Sequence, residues 1–225
     1  MGYFYDTTEK ILIEQYVSEH MGEIKSKITE EAVFEAGIDL LIAEPTPERP
    51  FRSLVTCGMG AIPLELPQYL SMHRINRAEL VLHLSPEWQL KSRLDWPIRL
   101  MHWLSRLPLD DASLIRDLAI FELDAFLEHD NPYRAVMLHY CNECHLLDPF
   151  VRLPRKDRVI FMELIPLLPA ELDYIEAHSA EEFLRDVHRF LPLAADQTRQ
   201  PVTKQLSGEG FVILLGGGIH AKTFC

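Results

Sequence analysis

No stretch of this 225-residue chain approaches the roughly 20 consecutive apolar residues that a bilayer requires, which excludes a membrane-spanning helix. The first residues, Met-Gly-Tyr-Phe-Tyr-Asp, lack the basic and apolar blocks of a signal peptide. Asp6 stands where a myristoylation signal needs serine or threonine. Without an export signal the four cysteines are expected to be reduced thiols in a cytoplasm. Positive charge is also scarce. Twenty-two Lys and Arg face 34 Asp and Glu, a net −12, which argues against a nucleic-acid binder or a protein of anionic membrane surfaces. Such a balance serves solubility and suits a basic protein partner. Gly-x-Ser-x-Gly is absent, and Gly216-Gly-Gly218 lacks the spacing of a phosphate loop, so it reads as a flexible tail.

What is present is an ordinary globular composition, 48% apolar and 25% charged, in a chain long enough for one large domain or two small ones. Asp6-Thr-Thr-Glu9 is a capping box, and Ile11, Leu12, Tyr16, Val17 and His20 predict an amphipathic helix over 7–21. Glu23–Thr29 and Ile38–Ala43 predict strands. Three prolines between Pro45 and Pro50 predict a stiff extended connection into a short buried strand, Phe51–Cys57, ended by Gly58 and Gly60. In 77–84, Ala78, Leu80, Leu82 and Leu84 alternate with Glu79, Val81 and His83, the pattern of a half-buried strand. Pro97 opens a helix over 97–107 with Leu100, Met101, Leu104 and Leu107 on one face and Arg99, His102 and Arg106 on another. Tyr133–Tyr140 and Val159–Ile165 read as strands, the second central and apolar apart from Glu163. Helices follow over 170–177 and 179–190, the latter capped by Ser179 with Glu182. Pro192–Gln205 reads as a polar loop and Phe211–Leu215 as a last strand. This order predicts an α+β fold, a mixed sheet covered by helices.

Several of these pieces, in this order, resemble the Suppressor of fused (SUFU) domain. They are Pro45-Thr-Pro-Glu-Arg-Pro-Phe-Arg-Ser-Leu-Val-Thr-Cys-Gly-Met-Gly60, Arg77-Ala-Glu-Leu-Val-Leu-His-Leu84 followed by Trp88, the Trp-Pro helix Asp95–Arg106, and Arg158–Asp173. The resemblance places a SUFU-like domain at about 35–190. Residues 1–34 then form an N-terminal helix and strand of the same domain, and 191–225 a C-terminal extension. It implies the same α+β class, no catalysis and no cofactor. In animals it implies sequestration of a zinc-finger transcription factor whose peptide is held partly by strand addition, with a second domain for which this chain leaves no length. Compact members resemble bacterial immunity proteins that neutralise toxins. A family Gly-Asp-His motif that contacts the partner peptide falls at Arg116-Asp117-Leu118, where only the aspartate matches.

Asp117 lies in an acidic run. Asp110, Asp111, Asp117, Glu122, Asp124, Glu128 and Asp130 face only Arg116, a net −6. With Trp103 as an interface anchor, Asp110, Asp111, Asp117, Glu122 and Asp124 are the candidate partner-binding residues for a basic protein such as a toxin. The sharpest chemical pattern is His139-Tyr-Cys141-Asn-Glu-Cys144-His145. It reads as a variable loop, with a zinc site of Cys141, Cys144, His139 and His145 as the alternative, serving a metal-dependent or thiol enzyme. Cys57 reads as a packed thiol rather than a nucleophile, and Glu163 as a carboxylate facing an edge, a partner or an arginine. A scaffolding homo-oligomer is a third reading.

Overall fold

The computed structural model describes residues 3–29, 36–64, 74–123, 131–140, 150–154, 157–191 and 193–203. Its elements are α1 (Thr7–His20), β1 (Ile24–Thr29), β2 (Asp39–Ala43), β3 (Arg52–Cys57), β4 (Ile75–Leu84), α2 (Trp96–Leu104), α3 (Leu107–Asp110), β5 (Ile120–Glu122), β6 (Ala135–Tyr140), β7 (Phe150–Arg152), β8 (Arg158–Leu167), α4 (Pro169–Ala177) and α5 (Ala180–Val187). The strands form one mixed sheet in the order β1-β2-β3-β4-β8-β6-β5, with β7 also pairing β8. Only β4 and β8 run parallel, and the other pairs are antiparallel. The α+β expectation holds.

Local chemistry sets the element ends. At α1 the Asp6 carboxylate accepts from Glu9 N–H at 2.9 Å, and the Glu9 carboxylate accepts from Asp6 N–H at 3.0 Å. This reciprocal pair satisfies two donors that a helix start otherwise leaves without partners. Ser179 Oγ accepts from Glu182 N–H at 3.1 Å and opens α5 in the same way. Pro97 sits in the first turn of α2, where its missing N–H costs nothing. The helix ends at Leu104, earlier than the spacing predicts, and Leu107 begins the separate short α3.

Helices cover both faces of the sheet. On one face Leu100, Met101 and Leu104 of α2 pack into a cluster with Leu40, Leu54, Leu80, Leu82 and Leu164. On the other, Ile13, Tyr16 and Val17 of α1 pack on Leu41, Val55, Val81 and Phe161. Phe183 and Val187 of α5 pack there on Met137, Ile165 and Leu167. Buried Asp39 adds an ionic tie, receiving Lys10 Nζ from α1 at 2.8 Å and Lys27 Nζ from β1 at 3.1 Å.

Two expectations need correction. β4 is buried on both faces from Ala78 to Leu84, so its polar parity, Glu79 and His83, does not face water. A parallel neighbour on one side and helices over both faces leave no solvent side there. Nor is 193–202 a solvated loop, although it forms no helix or strand of its own. Leu193, Ala195 and Val202 are buried, and Ala195 pairs beside the end of β4, donating to His83 O and accepting from Ser85 N–H, both at 2.8 Å. The predicted strand Phe211–Leu215 lies outside the described residues. Among the described residues no helix is long and apolar enough to cross a membrane.

Candidate partner-binding face

The chain reaches the β5 end of the sheet through a turn built on Ile115-Arg-Asp-Leu118. Ile115 is buried, and Leu118 adopts φ 62°, a left-handed conformation that costs a non-glycine residue about 1 kcal/mol. The strain is offset by pairing: Leu118 N–H donates to Leu138 O and Leu138 N–H to Ala119 O, both at 2.8 Å. This turn brings Asp117 over the end of β6. Its Oδ1 accepts from His139 Nδ1 at 2.9 Å and from Tyr140 N–H at 3.3 Å. Asp117 is therefore half-buried, with part of its acceptor capacity already used.

The other candidates lie nearer solvent. Asp110 and Glu122 are exposed and make no ion pair among the described residues. Asp111 is exposed and accepts from Ser113 N–H at 2.9 Å and Ser113 Oγ at 2.7 Å, bonds that hold its carboxyl below the usual aspartate range. Trp103 remains 37% exposed and meets Phe121 edge-to-face at 5.9 Å, while Ile120 on β5 is 38% exposed. Residues 110–122 thus carry four acidic side chains against Arg116, and Trp103 and Ile120 expose large apolar side chains. Asp124 lies outside the described residues.

Of the metal-type quartet, only His139 is described. Cys141, Cys144 and His145 lie outside the described residues, among which no three His, Cys, Asp or Glu side chains group as metal ligands. Across the β6–β8 ladder His139 is paired with Glu163. Along one face of β8, Val159 and Phe161 lie under α1 and Ile165 and Leu167 under α5, with buried Glu163 between the two apolar clusters. It does not face an edge.

The Gly-Met-Gly turn has a purpose that spacing alone could not show. Gly58 N–H and Gly60 N–H both donate to Glu79 Oε1 at 3.0 Å, and Thr56 Oγ1 donates to Oε2 at 2.6 Å. Burial raises the Glu79 carboxyl to about 7 against these three donors, which favour its charged form. A side chain at Gly60 would place its Cβ 2.0 Å from the Tyr5 hydroxyl. Burial, with Glu79 nearby, pushes the Cys57 thiol far above its usual range, so it is a packed thiol. Ser53 Oγ and His83 Nδ1 meet at 2.9 Å but are fully buried, and burial lowers His83 to about 3.

The sequence reading missed one further construction. Arg199 reaches from the C-terminal segment to buried Glu171, with Nη1 at 2.7 Å from Oε1 and Nη2 at 2.9 Å from Oε2. Leu168 N–H and Val202 N–H complete that carboxylate at 2.9 and 3.0 Å. Nothing in a polar, aperiodic stretch marks Arg199 as an anchor.

A mixed sheet with helices on both faces and an acidic edge defines a class of fold, and comparison identifies the family. The family model of the Suppressor of fused protein (SUFU) matches residues 35–199, and the chain belongs to that family. It is similar in fold to a SUFU homologue from Neisseria gonorrhoeae, with 13% identity, a TM-score of 0.60, and 87% of this chain and 97% of that one covered. A chain of the Sufu–Fu complex aligns at 11% identity and a TM-score of 0.63, with 93% and 96% covered. Drosophila Suppressor of Fused aligns at 11% identity and a TM-score of 0.53; this alignment covers 77% of this chain but 44% of that one. No curated protein matches the sequence.

Proposed function

We propose that this chain is a non-enzymatic protein-binding domain of bacterial immunity type. It would act in the cytoplasm, without a cofactor, by binding and neutralising or sequestering a basic protein such as a toxin. Residues 1–34 would be part of the same domain as 35–190, with 191–225 as its C-terminal extension, a reading supported by the β1–β2 pairing and by the Arg199–Glu171 pair. The observation that carries the binding face is the exposure of Asp110, Asp111 and Glu122 together with that of Trp103, which packs on Phe121 of β5, and of Ile120. Opposite charge at such a face accelerates encounter by about 10- to 1,000-fold at low salt, and the apolar side chains supply anchors. Fold similarity to a chain solved in the Sufu–Fu complex supports a partner-binding role.

The test combines affinity capture from the native cells at low and high salt with the triple variant D110K/D111K/E122K. The expected result is one stoichiometric basic protein, toxic when expressed alone, lost as salt rises and lost to the variant. Capture unchanged by both salt and charge reversal overturns the reading.

A second reading, a metal-dependent or thiol enzyme built on Cys141, Cys144, His139 and His145, rests on one observation. Asp117 holds His139 by Nδ1, the arrangement that fixes the tautomer of a metal-ligating histidine. Near-stoichiometric zinc in the purified protein would favour it over the binding reading.

A further inference from the structure

The chain's net charge is −12, yet three arginines come together where β8 lies between β4 and β7. Arg152, at the end of β7, is the direct cross-strand partner of Arg158 at the start of β8. Arg158 N–H in turn donates to the carbonyl of Arg74, the residue before β4, at 2.9 Å. Arg152 and Arg158 both lay their guanidinium groups over the ring of half-buried Phe150, at 5.5 and 4.3 Å from its centre. The two cations thus share one apolar support.

Like charges directly opposite on neighbouring strands repel. The acid that could relieve them is already engaged. Arg77 takes the Asp157 carboxylate, with Nε and Nη2 each 2.9 Å from Oδ2. Arg77 Nη1 is itself tied to Gly60 O and Ala61 O at 2.8 and 3.0 Å. Asp157 O accepts from Leu153 N–H at 2.8 Å, which closes the connection from β7 to β8. Half-buried Arg158 and exposed Arg74 make no ion pair among the described residues. Arg74 also adopts φ 59°, a left-handed conformation uncommon outside glycine. Charges further than about 10 Å are largely screened at about 0.1 M salt, so an approaching ion meets this local balance and not the net charge of the chain.

We propose that Arg74, Arg152 and Arg158 form a binding site for a phosphate dianion, free or as a phosphate monoester. A guanidinium is weakly hydrated and offers a planar fork of N–H donors that matches phosphate oxygens. Arg74 and Arg158 bring two positive charges that no carboxylate of the described residues neutralises. A dianion balances both, whereas a carboxylate balances one. Phe150 holds the Arg152 and Arg158 forks in place beforehand, which reduces the side-chain ordering that binding otherwise costs. The site shares no residue with the acidic candidates of 110–122, so either reading can fail without the other.

The probe is inorganic phosphate, titrated into the isotopically labelled full chain at about pH 8, where the dianion dominates. Ionic strength is held constant with chloride. The amide resonances of Phe150, Arg152 and Arg158 are expected to shift, with half-saturation at about 1–10 mM and with acetate about 10-fold weaker. R74Q and R152Q, both at exposed positions, should each weaken phosphate about 3- to 10-fold while the thermal midpoint stays that of the parent. R158K, which keeps the charge and loses the fork, should weaken it as well. R116Q, at an exposed arginine elsewhere, should leave it unchanged. Acetyl-phosphoserine amide separates the two sources: tighter binding than inorganic phosphate assigns the site to a phosphorylated side chain, and weaker binding to the free ion. Equal responses to phosphate and acetate, or a phosphate response unchanged in R74Q and R152Q, would each overturn the proposal.

Discussion

Glu79 and Glu171 are both fully buried, yet the fold accommodates them in opposite ways. Glu171 receives a bidentate guanidinium from Arg199 and two backbone N–H groups. Glu79 receives two backbone N–H groups and a hydroxyl, and its hydrogen-bond donors include no cation. The first arrangement keeps the charge and uses it to fasten a distant segment to the domain. The second leaves desolvation as the largest influence, so the carboxyl titrates near neutrality. Both are committed internally, in contrast to exposed Asp110 and Glu122, which make no ion pair among the described residues.

The largest break in this comparison comes from removing half of the ion pair. Arg199→Ala leaves a buried carboxylate without its cation and should cost roughly 3–5 kcal/mol in urea unfolding. The double variant E171L/R199M, which removes both charges, should recover most of that loss. If R199A unfolds at the midpoint of the parent protein, the segment 193–203 is not fastened as described.

Titration sharpens the contrast next. The Glu79 carboxyl is near 7 when folded and near 4.5 when unfolded. Between those values the folded state holds a proton that the unfolded state has released, so this group's contribution falls as pH rises, by roughly 3 kcal/mol across the window. His83 runs the other way. Folded near 3 and unfolded near 6.5, it leaves the unfolded state with the extra proton, and its contribution falls as pH drops through that window. From about 4.5 to 6.5 the two proton counts cancel, so the parent protein should show nearly constant stability there. Glu79→Gln should expose the histidine slope, with stability falling toward pH 5, and His83→Gln should expose the rising one. Urea midpoints at pH 7.5 and 5.0 measure both, and parallel changes in the two variants would contradict these assignments.

Smaller effects are expected at the turn that supplies the Glu79 donors. Gly58 has φ 132°, and a Cβ there would lie 2.3 Å from Gly37 O, whereas a Cβ at Gly60 meets the end of a tyrosine. Gly58→Ala should therefore cost roughly 2–3 kcal/mol. Gly60→Ala should cost less, because the Tyr5 side chain can yield where backbone cannot. A reversed order in thermal unfolding would show that the Tyr5 contact is the tighter constraint.

How far the sequence could be read follows the range of the interactions. The capping box at Asp6 and Glu9 and the cap at Ser179 are local, and both are found where their spacing places them. Strands β1 to β4, β6 and β8 were legible because their apolar patterns are local too, whereas β5 and β7, three residues each, were not. The burial of Glu79 and His83 was not, since the groups that hydrogen-bond to them, Thr56, Gly58, Gly60 and Ser53, come from β3 and the turn after it, 19 to 30 residues upstream. Arg199 finds Glu171 across 28 residues and Asp117 finds His139 across 22, distances over which a single sequence carries no pairing signal. At the candidate face, Asp110, Asp111, Glu122 and Trp103 are exposed, while the structural engagement of Asp117 could not be foreseen.

The smallest effects on stability separate that face from the buried pair. Asp110 and Glu122 are exposed and make no ion pair among the described residues, so D110K/E122K should change unfolding free energy by no more than about 0.5 kcal/mol. Asp117→Ala removes the acceptor for His139 Nδ1 and Tyr140 N–H and should cost about 1–2 kcal/mol through those lost bonds. Asp117→Asn, which keeps an acceptor oxygen at the same place, should cost less. Chemical denaturation of the three variants checks the ranking. A D110K/E122K variant as destabilised as D117A would mean that these exposed acids are structural, and their charge would no longer be free to meet a partner.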